Sequence, residues 1–181
     1  MFICTMLELH CGRFQLSLER PLIMGIVNLT PDSFSGDGAG TDVERAIQLA
    51  RRQFENGADI LDIGAESSRP GAIQTPEDEE LRRLVPVLRE IVDWGMPVSV
   101  DTYKPAVMRA ALDAGAAMIN DISALRHPGA LAAVAASDCA VCCMPSAWLA
   151  TTWTSDLTPV SKSRARVRFC SLRLVRSVAN F

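Results

Sequence analysis

The chain has only two histidines, His10 and His127, among its 181 residues, so an imidazole-rich metal centre has almost nothing to be built from. Its six cysteines, at 4, 11, 139, 142, 143 and 170, lack the spacing of a disulfide framework. Cys139-x-x-Cys142 has the interval of a redox or zinc pair. It falls in a segment that reads as a strand, where residues three apart face opposite sides, and no second pair accompanies it, so two buried thiols are expected. No apolar run approaches the roughly 18 residues that span a bilayer. No basic segment followed by an apolar stretch opens the chain, which makes the cytoplasm the expected compartment and a membrane no partner. No G-x-G-x-x-G follows any strand-like segment, and no Ser/His/Asp triad signature is present. From residue 145 to the end there is no glycine at all.

What is present is ordinary for a globular protein, with 49% apolar and 22% charged residues. The length accommodates one domain with a sizeable core. The net charge of −3 hides an asymmetry: residues 1–144 carry twelve basic and twenty acidic side chains, whereas residues 145–181 carry six basic and one acidic. A basic tail can be a nucleic-acid arm, here Lys162-x-Arg164-x-Arg166-x-Arg168, and the same every-second-residue spacing could be an edge strand. The plainer reading is a tail that does not encode the fold begun upstream, as a shifted reading frame or false splice would give. Nucleic acid is therefore not the expected partner, and two segments are expected, 1–144 and an atypical, poorly structured 145–181.

Residues 7–20 alternate apolar and polar around Cys11-Gly12, a hairpin signal placed as a cover on a barrel floor. A regular beat follows. A strand over about 23–27 leads to a helix that opens at the capping box Thr41-x-x-Glu44 and stops near Gly57. A strand over 59–64 leads to a helix starting at Thr75-Pro76-Glu77, with acids in its first turn, and stopping at Gly95. A strand over 97–100, a helix from Lys104-Pro105 to Gly115, a strand over 117–120, a helix over 128–136 and a strand over 139–144 complete it. Crossover helices between all the strands predict a parallel sheet. The fold class expected is α/β, a TIM-type (β/α) barrel seen in part, with about five strands and four helices; an open doubly wound sheet is the rival. A closed eight-stranded barrel takes about 250 residues, so the chain is short for one.

The strands end in polar residues, as in a barrel whose active site lies on one rim. Asn28 offers a neutral oxygen suited to Mg²⁺, or caps a turn. The loop 64–71, Gly-Ala-Glu-Ser-Ser-Arg-Pro-Gly, combines hydroxyls, an arginine and backbone donors in a way that suits a phosphate-bearing ligand, or is a surface turn. Asp101 ends one strand and Asp121 follows Asn120 on the next. A carboxylate and an amide on neighbouring strands can read a planar heterocycle bearing N–H and amino groups, or Asp101 caps a helix. Lys104 and Arg126 are expected to be solvated.

Met24-Gly-Ile-Val-Asn-Leu-Thr-Pro-Asp-Ser-Phe-Ser35 resembles the first signature of dihydropteroate synthase, and Gly57-Ala-Asp-Ile-Leu-Asp-Ile-Gly-Ala-Glu-Ser-Ser-Arg-Pro-Gly71 resembles its second. Val98-Ser-Val-Asp-Thr102 and Ile119-Asn-Asp-Ile122 are similar to its pterin-reading strands. The likeness covers about residues 6–144. It implies a TIM barrel of folate biosynthesis that condenses dihydropterin diphosphate with 4-aminobenzoate, giving dihydropteroate and diphosphate. It further implies Mg²⁺ held by Asn28, substrate binding by Ser68, Arg69, Pro70, Asp101 and Asn120, and a loop of residues 30–38 closing over 4-aminobenzoate. No residue is assigned as the catalyst; Thr30, Asp32, Phe34 and Asp37 of that loop come nearest. Sulfonamide inhibition and a homodimer in the intact family are implied as well.

Two departures stand out. Ser-Gly-Asp-Gly at 35–38 replaces the family's commoner Ser-Asp-Gly-Gly, which moves the loop carboxylate to Asp37. The family's later Met-His turn, pterin-binding Asp, Lys and Ser-Arg pair do not follow Met144, and a truncation or frameshift near that point is the expectation. The rivals to the synthase are an inactive half-barrel and another pterin-binding barrel, such as a methyltetrahydrofolate methyltransferase domain. The loop Thr-Pro-Asp-Ser-Phe at 30–34 speaks against the last.

Overall fold

The computed structural model describes residues 8–30, 42–67, 72–143 and 168–170. It opens with a hairpin of β1 (Glu8–Cys11) and β2 (Phe14–Ser17), paired antiparallel through a turn in which Gly12 takes a φ of 54°. The βα beat then runs β3 (Met24–Asn28), α1 (Asp42–Glu55), β4 (Ile60–Gly64), α2 (Glu77–Ile91), β5 (Val98–Asp101), α3 (Pro105–Asp113), β6 (Met118–Asp121), α4 (Ala130–Ala135) and β7 (Ala140–Cys143). Every neighbouring pair from β3 to β7 is parallel and adjacent in chain order, the arrangement of a (β/α) barrel wall with the helices outside. A doubly wound sheet would reverse its strand order at some point, and this one does not.

The tail differs from expectation at one place. Residues Arg168–Cys170 form β8, parallel to β7, with Ala140 opposite Arg168 and Cys142 opposite Cys170. A sixth strand thus extends the sheet from a segment expected to be poorly structured, though the basic alternation ending at Arg168 left an edge strand open as a reading. The free backbone edge of β7 provides donors and acceptors to any extended segment that reaches it. Among the described residues no helix is long and apolar enough to cross a membrane.

Strand alternation divides the core in two. Outward residues Val27, Leu61, Ile63, Val98, Val100, Ile119 and Val141 meet the helices, which contribute Ala46 and Ala50, Leu84, Val87, Leu88 and Ile91, Val107, Met108 and Ala111, and Ala133 and Val134. The helical residues recur at intervals of three and four, one stripe per helix. Inward residues at the N-terminal ends of the strands, Ile60, Met118 and Ala140, pack instead with Leu9 and Cys11 of the hairpin. The hairpin therefore closes the barrel floor as expected, tied there by Gly12 N–H to the Asp138 carbonyl (3.0 Å) and by Arg13 to the Val92 carbonyl (2.7 Å). Arg20 then grips Asp59 through both guanidinium nitrogens (2.6 and 2.9 Å), while Asp59 also accepts from Ile23 N–H (2.8 Å). That fixes the path from hairpin into β3.

The helix punctuation is as expected after α1 and α3, where Gly57 and Gly115 take φ values of 89° and 104°, a region costly for other residues. Helix α2 stops earlier than expected, at Ile91 with Val92 as its cap, and Gly95 (φ 83°) turns the chain beyond it. The N-terminus of α2 is shifted. Pro76, at φ −56° and ψ 149°, precedes the first helical residue and no side chain caps it, so Thr75 is not the cap; four acids, Glu77 to Glu80, face the helix dipole instead. Lys104 and Pro105 open α3 as expected. The capping box at Thr41 lies outside the described residues.

Candidate active site at the barrel rim

The parallel register places Asn28, Gly64, Asp101, Asn120 and Cys142 side by side across five strands, with Asp62 opposite Ser99 one layer deeper. Because Val27, Ile63, Val100 and Ile119 face the helices, period two turns all of these residues inward. Gly64 stands next to Asp101, and a Cβ there would lie 3.7 Å from Asp101 Oδ2. The glycine thus leaves the interior beside the carboxylate open.

Within this wall the Asn120 side-chain amide donates to Asp62 Oδ2 at 3.1 Å. Asp62 and Asn120 are each only 5% exposed and Ser99 is fully buried. Asp62 Oδ1, Ser99 Oγ and Asn120 Oδ1 nevertheless have no hydrogen-bond partner among the described residues. Orphaned polar atoms of this kind cost stability unless something else satisfies them, and three together mark a place prepared for a polar ligand. Burial raises the Asp62 carboxyl above the usual range, offset in part by Ser99 and Asn120. Burial, reinforced by the charges of Asp62, Glu80, Asp121 and Glu66, pushes Asp101 up to about 7. A carboxyl held near neutrality in a partly buried wall, as Asp101 is, is a recognised property of functional sites.

Two further carboxylates at the rim are occupied with structure. Asp121 accepts from Ser123 N–H (2.6 Å), Ser123 Oγ (2.7 Å) and Leu125 N–H (2.9 Å). It fastens a turn in which Ala124 and Leu125 both take positive φ, 55° and 58°. Glu66 accepts from Tyr103 Oη (2.8 Å) and from Lys104 Nζ. Here the expectation of a solvated lysine is wrong. Lys104 is 7% exposed and its ammonium also meets Glu80 Oε2 at 2.6 Å and the Thr75 carbonyl at 2.5 Å. Burial alone would lower its pKa, but the bonds to Glu66 and Glu80 outweigh that and raise it. Arg126 is exposed, as expected. Asp101 does not cap α3, since Lys104 occupies the capping position.

Asn28 ends β3 with an exposed side chain, and Thr30 is half-buried two residues on. Asp32, Phe34, Asp37, Ser68, Arg69 and Pro70 lie outside the described residues. Among those described, no group of three or more His, Cys, Asp or Glu side chains could hold a metal ion. A single exposed amide oxygen at the rim fits a Mg²⁺ ion that keeps most of its waters and rides on a diphosphate; it does not fit an all-protein cage. Cys139 and Cys142 are both buried thiols, one against the helices and the other among the floor residues, which agrees with the strand reading.

The residues that sequence reasoning missed are Asp62, Ser99 and Glu80. Asp62 and Ser99 carried a signal, since both alternate in phase with Gly64 and Asp101. Glu80, in a helix already rich in acids, carried none.

Comparison with known proteins accords with this geometry. The pterin binding enzyme family matches residues 24–172. Dihydropteroate synthase of Neisseria meningitidis serogroup C is 46% identical over 138 residues, covering 75% of this chain and 49% of that protein. The structure of Xanthomonas albilineans dihydropteroate synthase with 4-aminobenzoic acid superposes with a TM-score of 0.73 at 55% identity, covering 76% of this chain and 51% of that one. The Burkholderia cenocepacia enzyme complexed with 7,8-dihydropteroate gives a TM-score of 0.67 at 50% identity, covering 75% and 45%. The chain spans about half the length of these relatives. A match over most of its length, on a wall of parallel strands that presents Asp101 and Asn120 together, shows that the chain belongs to the pterin binding enzyme family.

Proposed function

We propose that this chain carries the pterin-reading wall of a dihydropteroate synthase, the enzyme that joins dihydropterin diphosphate to 4-aminobenzoate and releases diphosphate. The observation that supports it most directly is the inward row Asp101–Asn120, adjacent in register, with the acceptor Asn120 Oδ1 left unpartnered. A carboxylate accepts two hydrogen bonds from an amino group and a neighbouring ring N–H, and the amide oxygen accepts a third. Dihydropterin offers such an edge.

The chemistry asks for little covalent help. As the bond from the pterin methylene to the diphosphate oxygen lengthens, positive charge spreads over the pterin ring, and the aminobenzoate nitrogen attacks the methylene. Asp101, as a carboxylate against the pterin edge, stabilises that charge where it develops. The wall holds the ring in one orientation toward the second substrate, converting a collision into a positioned reaction. Asn28 would hold Mg²⁺, which when bound would supply positive charge to offset the leaving diphosphate. Thr30, Asp32, Phe34 and Asp37, with Ser68, Arg69 and Pro70, are the remaining candidates for contacts with 4-aminobenzoate and phosphate, and sulfonamides would compete at the former. A homodimer is part of the same proposal.

The test is calorimetric titration of the purified chain with 6-hydroxymethyl-7,8-dihydropterin diphosphate, with and without Mg²⁺, alongside an assay of diphosphate release on adding 4-aminobenzoate. Binding that is lost in Asp101→Asn, together with release, supports the synthase. Absence of binding by the wild-type chain overturns it. Binding of pterin with no response to 4-aminobenzoate points to a different pterin-binding reaction. A second reading, a binding wall without turnover, draws on the sheet itself: among the described residues β3 and β8 are each paired on one side only. Binding without release selects it.

A further inference from the structure

We propose that Asp62 is a positioning residue that locks the side-chain amide of Asn120 with Oδ1 toward the ligand, so that this wall accepts a donor-bearing heterocycle edge and rejects an acceptor-bearing one. The inference deepens the function proposed above and rests on it for the identity of the ligand, though not for the geometry.

An asparagine amide offers two N–H donors on one side and a carbonyl acceptor on the other, and a half-turn about the last torsion exchanges them. An asparagine in a binding wall is therefore ambiguous until a neighbour chooses. Asp62 makes that choice here: Asn120 Nδ2 lies 3.1 Å from Asp62 Oδ2. The bond from Asn120 favours the ionised form of Asp62 against burial, and an ionised carboxylate is acceptor-only, so a turned Asn120 would set two oxygens against each other inside a buried wall. Nothing else supplies the choice, since Asn120 Oδ1 has no partner among the described residues.

The placement is specific. Asp62 lies on β4 and Asn120 on β6, and β5 runs between them. On β5 the intervening inward residue at the depth of Asp62 is Ser99, whose side chain is small enough for the two to meet across it. Ser99, beside Asp62 in register, also favours its ionised form. Asp101, next to Asn120 in register, is the other acceptor. With the amide locked, both rim groups on β5 and β6 present oxygen, and the wall becomes uniformly hungry for N–H.

Two measurements on the full chain test this. In the first, ¹⁵N spectra of asparagine-labelled protein follow the Asn120 side-chain amide, assigned with Asn120→Ala. In wild type its protons should exchange slowly with water and shift downfield, and in Asp62→Ala, which removes the acceptor, both signatures should disappear. Fast exchange in wild type overturns the lock without any variant. In the second, affinities are compared for pterin and for lumazine, in which the exocyclic amino donor is replaced by an oxo acceptor. Wild type should prefer pterin, and Asp62→Asn, nearly isosteric, should reduce that preference about tenfold or more by allowing Asn120 to turn. Asp62→Ala should do the same if the amide variant does not fold. An unchanged ratio in a folded variant overturns the proposal. If wild type binds neither compound, the functional reading fails, while the amide spectrum still decides the lock.

Discussion

Lys104 Nζ and Glu80 Oε2 stand 2.6 Å apart, with the lysine side chain 9% and the glutamate side chain 1% exposed. Glu66 and the Thr75 carbonyl meet the same ammonium, so one cation draws together the end of β4, the approach to α2, α2 itself and the start of α3. Removing it would strand two carboxylates in a poorly solvated place. Lys104→Met is expected to destabilise the fold by about 3–5 kcal/mol, read by chemical denaturation. The triple change Lys104→Met, Glu66→Gln, Glu80→Gln should recover a good part of that loss. Because the lysine pKa is raised in the fold, its stabilising contribution is fully present at neutral pH. It is lost only as pH climbs through the raised folded value, above the ordinary 10.5.

Asp101 should make ligand binding pH-dependent. Its folded pKa of about 7 means the free site is largely protonated at pH 6 and ionised at pH 8. A pterin edge wants the carboxylate, so affinity should fall about tenfold per pH unit below 7. The stability effect has the opposite sense. An acid with a raised folded pKa binds its proton more tightly when folded, so its contribution is present below the ordinary value near 3.8 and disappears as pH rises through 7. Calorimetric affinities measured from pH 6 to 8 check the first effect, and Asp101→Asn, which loses binding, should flatten the stability profile.

Gly25 in β3 lets α1 approach the sheet. A Cβ there would lie 2.8 Å from Gln53 Cβ and 3.2 Å from Ala58 Cβ. Gly25→Ala is expected to cost about 1–3 kcal/mol through overpacking, measured as a lower denaturation midpoint with an unchanged slope.

Asp121 gathers three hydrogen bonds around a turn with two left-handed, non-glycine residues. Asp121→Ala should cost about 2 kcal/mol or more, since Ser123 and Leu125 lose their acceptor together. Leu125→Gly should be tolerated far better than a leucine-to-glycine change elsewhere, because it removes a left-handed strain of about 1 kcal/mol. Paired melting curves compare the two.

Much of this was legible beforehand because local rules govern it. The period-two pattern of 98–101 and 117–120 set the inward side, the glycines at 57 and 115 ended helices, and the polar strand ends marked the rim. What escaped depends on groups far apart in the chain. Lys104 reads as a solvated lysine until Glu66 and Glu80, 38 and 24 residues earlier, are seen to converge on it. Asp62 reads as an incidental polar residue in an apolar strand until Asn120, 58 residues later, is found leaning on it. The strand at Arg168–Cys170 was only half legible: the alternation ending at Arg168 allowed an edge strand, but three residues are too few to fix its bounds, and its partner is an edge more than twenty residues away.

The alternation that turns Asp62, Ser99, Asp101 and Asn120 inward is the same one that turns Leu61, Val98, Val100 and Ile119 toward the helices. Recognition and cohesion are therefore opposite sides of a single ribbon. Losing or gaining one residue within β5 would drive valines into the site and charge into the core in the same event. Exchange of one side chain for another can retune what this wall binds; a change of length within its strands can only ruin it.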